Sequence, residues 1–107
     1  MENFDEQLTK FVATAQQIIN DHNTLYEYTA GQTLSIGGGT KYVKIIRTDG
    51  SGIGHSVHCF VERSTGNILK AASWRAPAKH SRGNIYDADN GASAMSAYGA
   101  NYLRGLT

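Results

Sequence analysis

One cysteine, one proline and one tryptophan are all that the chain of 107 residues holds of those three types. A lone Cys59 excludes an intrachain disulfide and makes a reducing compartment the natural setting. Ten basic and nine acidic residues leave a formal charge of +1, which argues against the broad basic surface that grips many phosphates of a long nucleic acid. No apolar run reaches the length of a membrane span, and the N-terminus, Met1-Glu2-Asn3-Phe4-Asp5-Glu6, is acidic where a signal peptide is basic. A soluble cytoplasmic protein is expected. Catalytic signatures are missing as well: there is no GxSxG, no dinucleotide fingerprint and no paired glutamates. What is present is a globular composition, 40% hydrophobic and 18% charged, in a chain of a size that suits one domain over residues 1–107.

Phe4, Leu8, Phe11, Val12, Ala15, Ile18 and Ile19 recur at steps of three and four and place one apolar stripe along a helix. This helix makes up most of an N-terminal arm over residues 1–28. Asn3 is its expected N-cap, with Glu6 three residues on, and Gln7, Lys10, Thr14, Gln17 and Asp21 fall on the polar face. The stripe seats the helix on a sheet or pairs it with a second copy. Gly31 and Gly37-Gly38-Gly39 read as a flexible crossing; Lys41 after the triplet lacks Walker spacing, so a linker is expected ahead of a phosphate loop. Residues 42–48, 55–62 and 67–73 are strand-like, separated by turns at 49–52 and 63–66. Alternation assigns Val57, Cys59 and Val61 to one face and His58, Phe60 and Glu62 to the other. Residues 85–86 read as a short fourth strand and 92–103 as a short helix weakened by Gly99. The expected class is α+β: a long N-terminal helix, a small antiparallel β-meander and a short C-terminal helix, with a β-rich core over residues 40–107.

Few side chains carry chemistry. His55 and His58 lie three apart, a spacing that in a strand sends them to opposite faces, so no metal site is expected. Cys59 reads as a buried apolar residue, and strand geometry turns it away from the adjacent His58. Asp87 and Asp89 read as turn residues. Residues 73–84 stand apart, holding Trp74, Arg75, Pro77, Lys79, His80, Arg82 and Asn84, with Ser73 at the start. A flat aromatic, guanidinium groups and a side-chain amide are what holding a nucleotide requires: Trp74 to stack on a base, Asn84 to read its edge, Arg75 and Arg82 to pair phosphate oxygens. The competing reading is a solvated basic loop whose Trp packs into the core.

The run 42–104, with Val57-His58-Cys59-Phe60-Val61, Gly66-Asn67-Ile68-Leu69-Lys70-Ala71-Ala72-Ser73-Trp74, Arg82-Gly83-Asn84 and Tyr98-Gly99-Ala100-Asn101-Tyr102-Leu103, resembles small proteins encoded by bacteriophages. Among these the chain looks most like the phage Thoeris anti-defence sponges that sequester cyclic ADP-ribose signals. The likeness rests on Trp74 followed ten positions later by Asn84, on a long helix ahead of an antiparallel sheet, and on Arg104 near the C-terminus, with Arg47 matching a further family arginine. It implies a protein of the infected host's cytoplasm that is not an enzyme and uses no cofactor. Such a protein binds glycocyclic ADP-ribose intact, in pockets near the contacts of a homo-oligomer (dimer or hexamer), and in some members cyclic oligonucleotides elsewhere, for which residues 37–39 are a candidate. The ligand-binding residues expected are Trp74, Asn84, Arg82, Arg75 and Ser73 of the stretch 73–84, with Arg104 and Arg47 added as what the resemblance implies. Two other readings stand beside this one: a small virion or assembly protein with Trp74 at a subunit contact, and a single-stranded nucleic-acid-binding module.

Overall fold

A computed structural model describes residues 3–23, 32–49, 52, 54–96 and 99–100. The apolar stripe forms α1 (Phe4–Asn23) as its periodicity predicts. Asn3 caps it, the Oδ1 accepting a hydrogen bond from Glu6 N at 2.8 Å, which satisfies one of the donors that a helix start leaves open. Phe11, Ala15 and Ile19 are fully buried, and the helix lies on a sheet.

The sheet is an antiparallel meander of five strands in the order β1 (Thr33–Gly37), β2 (Tyr42–Thr48), β3 (His55–Glu62), β4 (Asn67–Ala71) and β5 (Pro77–Asn84). β2 and β3 fall where their Val- and Ile-rich patterns place them. Beyond β5 come a 3-10 turn (Ala92–Ala94) and a small hairpin of β6 (Met95–Ser96) and β7 (Gly99–Ala100). Leu8, Phe11 and Ala15 meet Val43, Ile45, Cys59, Val61 and Ile68 in one core cluster, closed by Ile85, Ala94 and Met95. Phe60 and Leu69, a cross-strand pair, are also buried but lie outside that cluster, on the face turned away from the helix. That second face carries the site.

Several expectations are corrected. Residues 33–37, expected within a flexible crossing, form edge strand β1. Residues 77–84, expected as the ligand loop, form edge strand β5, and only residues 72–76 turn; Pro77 stands at the strand's first position, where its missing N–H does no harm. Strand β4 ends at Ala71, two residues short of expectation. Residues 85–86 are a turn, not a strand. In place of the short C-terminal helix there is the 3-10 turn and hairpin, because Gly99 adopts φ 128°, a conformation no helix accepts. Residues 24–31 and 101–107, with the rest of the expected arm and Arg104, lie outside the described residues.

Gln7, expected on the polar face, is buried and bridges layers: its Nε2 donates to Ile85 O and, at 3.0 Å, to Asn90 Oδ1. His58 and Cys59 do not diverge either. Ile45 pairs with Cys59 and Ile46 with Val57, so His58 is the extra residue of a β-bulge, which breaks the alternation. Both side chains are buried, with Nδ1 of His58 3.2 Å from Sγ of Cys59.

Candidate functional site

On the face away from α1, Tyr42 and Phe60 meet edge to face, their centroids 6.4 Å apart. Beside them opens a cleft of about 320 Å³ lined by Gly38, Gly39, Thr40, Lys41, Tyr42, Lys44, Phe60 and Arg75. Three of these residues are cations and none is an acid. Register explains the convergence. Gly37, at the end of β1, pairs with Lys44 on β2, and Lys44 pairs with Phe60 on β3. The turn at 72–76, leaving β4, then carries Trp74 and Arg75 back across β3 toward Lys44.

The turn is held by its own main chain and by Ser73. Ala72 N and Ser73 N both donate to Ala76 O, at 3.0 and 3.1 Å, while Ser73 Oγ accepts from Arg75 N at 3.3 Å and from Ala76 N at 3.2 Å. Ser73 therefore shapes the turn. Trp74 is 46% exposed, which disposes of the core-Trp reading. The Lys44 ammonium lies 4.1 Å from the ring centroid, a cation–π contact that fixes the indole over the sheet. The ring borders a neighbouring hollow of about 270 Å³ with Ser56, Val57, Ala71, Ala72 and Ser73. A planar ligand group has room there against a half-open aromatic.

The remaining expected site residues lie elsewhere. Asn84 pairs with Asn67, and Pro77 with Ala71, at opposite ends of the β4–β5 hairpin; four steps of about 3.3 Å put Asn84 roughly 13 Å from the turn that bears Trp74. The Asn84 amide is also occupied. Its Nδ2 donates to Thr65 O at 2.9 Å and to Asn67 Oδ1 at 3.0 Å, and its Oδ1 accepts from Tyr86 N at 2.8 Å. Arg82, half-buried, donates from Nη1 to His80 O on its own strand. Arg47, at the far end of β2, lines a separate hollow of about 260 Å³ with Gln32, Asp49, Gly54, His55 and Ser56. Burial draws its guanidinium below the usual range, partly offset by Cys59. Of the expected residues, Trp74, Arg75 and Ser73 come together; Asn84, Arg82 and Arg47 do not join them.

The structure adds Lys41 and Lys44, and it brings to the same cleft the loop 38–40, whose glycines fall in the segment 37–39 expected at most as a separate site. The signal for them was in the chain, as a glycine triplet followed by Lys41 and Lys44, but only the β1–β2 register brings it to Arg75. Gly39 is there for closeness: a Cβ on it would lie 2.0 Å from Tyr42 O. Gly38 meets nothing within 4 Å of such an atom, so it lines the cleft without filling it.

The buried pair on β3 is inert by comparison. Burial pushes the Cys59 thiol far above its ordinary range, against the lowering effect of Arg47, whereas a nucleophilic thiol needs the opposite shift. Among the described residues no group of three or more His, Cys, Asp or Glu is placed to hold a metal ion, and no helix is long and apolar enough to cross a membrane. Asp87 and Asp89 serve the turn: Asp87 Oδ2 accepts from Asn84 N at 3.1 Å, and Asp89 accepts from Gly91 N at 3.0 Å and Ser93 N at 2.9 Å.

Fold and site together define a small α+β protein with a basic, aromatic-edged cleft on the sheet face opposite its helix. The chain belongs to a family of unknown function, DUF7717, which it matches over residues 2–102. No curated protein and no solved structure matches it.

Proposed function

We propose that the protein binds a small anionic nucleotide in the cleft between the loop 38–41 and the turn 72–76, and holds it unaltered. The observation that carries this reading is the half-exposed Trp74, packed against Lys44 beside a cleft whose charged lining, among the described residues, is Lys41, Lys44 and Arg75. A base stacks on the indole, a contact worth roughly 1–3 kcal/mol, and the cations take the phosphates, Arg75 as a planar fork and the lysines as point charges. Three cations in one cleft favour a ligand with two or more negative charges. The resemblance to the cyclic ADP-ribose sponges makes glycocyclic ADP-ribose and its isomers the first ligands to try, and sequestration of such a signal in an infected bacterial host the corresponding role.

Asn84 has no part in this version of the site. Lys44 and Lys41 take the place proposed from sequence for Arg82 and Arg47. A ligand held by the exposed Lys41 and the half-buried Lys44 is screened by salt, over a Debye length of about 8 Å at physiological ionic strength, so its affinity falls as salt rises. The test is isothermal titration with cyclic ADP-ribose isomers, followed by denaturation and mass analysis of the released ligand. Binding with recovery of intact ligand supports the reading. Chemically altered ligand makes the protein an enzyme, and no heat with any isomer removes this ligand class.

A further inference from the structure

The loop 38–41 is fixed from behind. Arg63, on the turn after β3, donates from Nε to Gly39 O at 2.6 Å, and its main-chain N donates to Lys41 O at 3.0 Å. The Arg63 guanidinium lies 5.7 Å from the ring of Phe4, the first residue of α1. One side chain thus ties the loop to the helix layer. Arg63 lines a second hollow with Thr40, Lys41 and Ser64 and is not among the residues that line the cleft.

Peptide geometry turns this contact into a directional statement. No peptide bond among the described residues is cis, and a trans peptide points its N–H opposite to its C=O. Holding Gly39 O against Arg63 therefore aims Thr40 N–H away from Arg63, and Thr40 is itself a lining residue of the cleft that holds Lys41, Lys44 and Arg75. Gly38 and Gly39 put no side chain beside that N–H, and a Cβ on Gly38 would meet nothing within 4 Å, the kind of glycine-rich backbone that receives anions.

We propose that Arg63 is a positioning residue: it orients the Gly39–Thr40 peptide so that Thr40 N–H donates to a phosphoryl oxygen seated in the cleft. The ligand class is a phosphate or diphosphate ester, and the argument rests on the cleft being the binding site. Arg63 never touches the ligand. It acts by removing a carbonyl oxygen from the anion's surroundings and presenting a donor instead.

The probes are inorganic pyrophosphate and ADP, the variants Arg63→Met and Arg63→Gln. Arg63 is exposed, so both variants are expected to fold, which far-UV circular dichroism checks. In the wild-type protein pyrophosphate is expected to shift the Thr40 amide proton downfield in amide-resolved NMR. Arg63→Met is expected to weaken pyrophosphate about tenfold, the scale of one hydrogen bond to a charged group. Arg63→Gln, neutral but still a donor to Gly39 O, recovers most of that loss. Quenching of Trp74 fluorescence at saturating ADP keeps its amplitude in all three proteins. The inference is overturned if Thr40 stays unmoved while the lysine and arginine resonances of the cleft shift, or if Gln is as weak as Met, which would make Arg63 a source of charge only. If neither probe moves any cleft resonance or the Trp74 signal, the cleft itself is not the anion site and the proposed function falls with it.

Discussion

Replacing Asn84 by Ala separates the base-reading role that the sequence suggests from the structural role that its hydrogen bonds show. In the structure its amide joins the β3–β4 turn to the end of β5 through three hydrogen bonds, to Thr65 O, Asn67 Oδ1 and Tyr86 N. Each is worth roughly 0.5–1.5 kcal/mol net. The site is half-buried and water reaches part of it, so the low half of that range applies to each bond, and the variant is expected to lose about 1.5–3 kcal/mol. At the ~4 °C per kcal/mol that suits a chain of this size, the midpoint of thermal unfolding drops by roughly 6–12 °C. Urea titration gives the free energy directly, and calorimetry below the new midpoint gives the ligand affinity, which is expected to stay within about twofold, the site lying some distance away. Asn84→Asp places carboxylate oxygens against two acceptors and is expected to cost no less than Ala. The reasoning is refuted by the opposite pattern: Asn84→Ala that melts with the wild type but has lost its ligand is a residue that reads the base.

Gly39→Ala is expected to misplace the loop and abolish anion binding, because its methyl would collide with the main chain at Tyr42 O. Gly38→Ala melts with the wild type and weakens the ligand only, so denaturation and titration run on both variants distinguish shape from occlusion. Cys59, buried with a thiol pushed up by desolvation, is expected to resist Ellman's reagent in the folded protein and to react with one equivalent in guanidinium. Rapid labelling without denaturant would contradict its burial. The Asp89 carboxyl is held below its ordinary range by the Ser93 main-chain N–H first, with further hydrogen bonds from Ser93 and Gly91. Since the folded-state value is the lower one, its stabilisation is present above the unfolded pKa and lost as pH falls through the folded one. Asp89→Asn should flatten the acid limb of stability against pH, read by denaturation between about pH 2 and 5.

What was legible in the chain follows physical periodicity. Helix α1 announces itself because seven apolar residues recur on one stripe, and β2 and β3 because β-branched runs end in Gly- and Ser-rich turns. Strand β1 was hidden: Thr33–Gly37 has only two large apolar side chains, one of which, Ile36, is 49% exposed, and a glycine triplet follows. Strand β5 carries Pro77, Lys79, His80 and Arg82, the composition of a loop and equally of a protected sheet edge. The bulge at His58 leaves no mark in an alternating pattern, since one extra residue changes facing without changing composition. For the site, proximity in sequence misled. Trp74 and Asn84 are ten residues apart, but a strand runs between them, whereas Gly38–Lys41 and Arg75 are far apart in the chain and meet across two strand pairings. Trp74 and Arg75 were visible as chemistry; Lys44 and Arg63 became visible only as geometry.

The sole tryptophan packs against Lys44, a residue of the cleft lining, so its emission reports on the site. Titrating the protein with glycocyclic ADP-ribose while following Trp74 fluorescence is expected to give saturable quenching that calorimetry matches in midpoint, and that rising salt shifts to higher ligand concentration. An unchanged emission spectrum alongside clear calorimetric binding would place the ligand elsewhere on the protein and contradict the account.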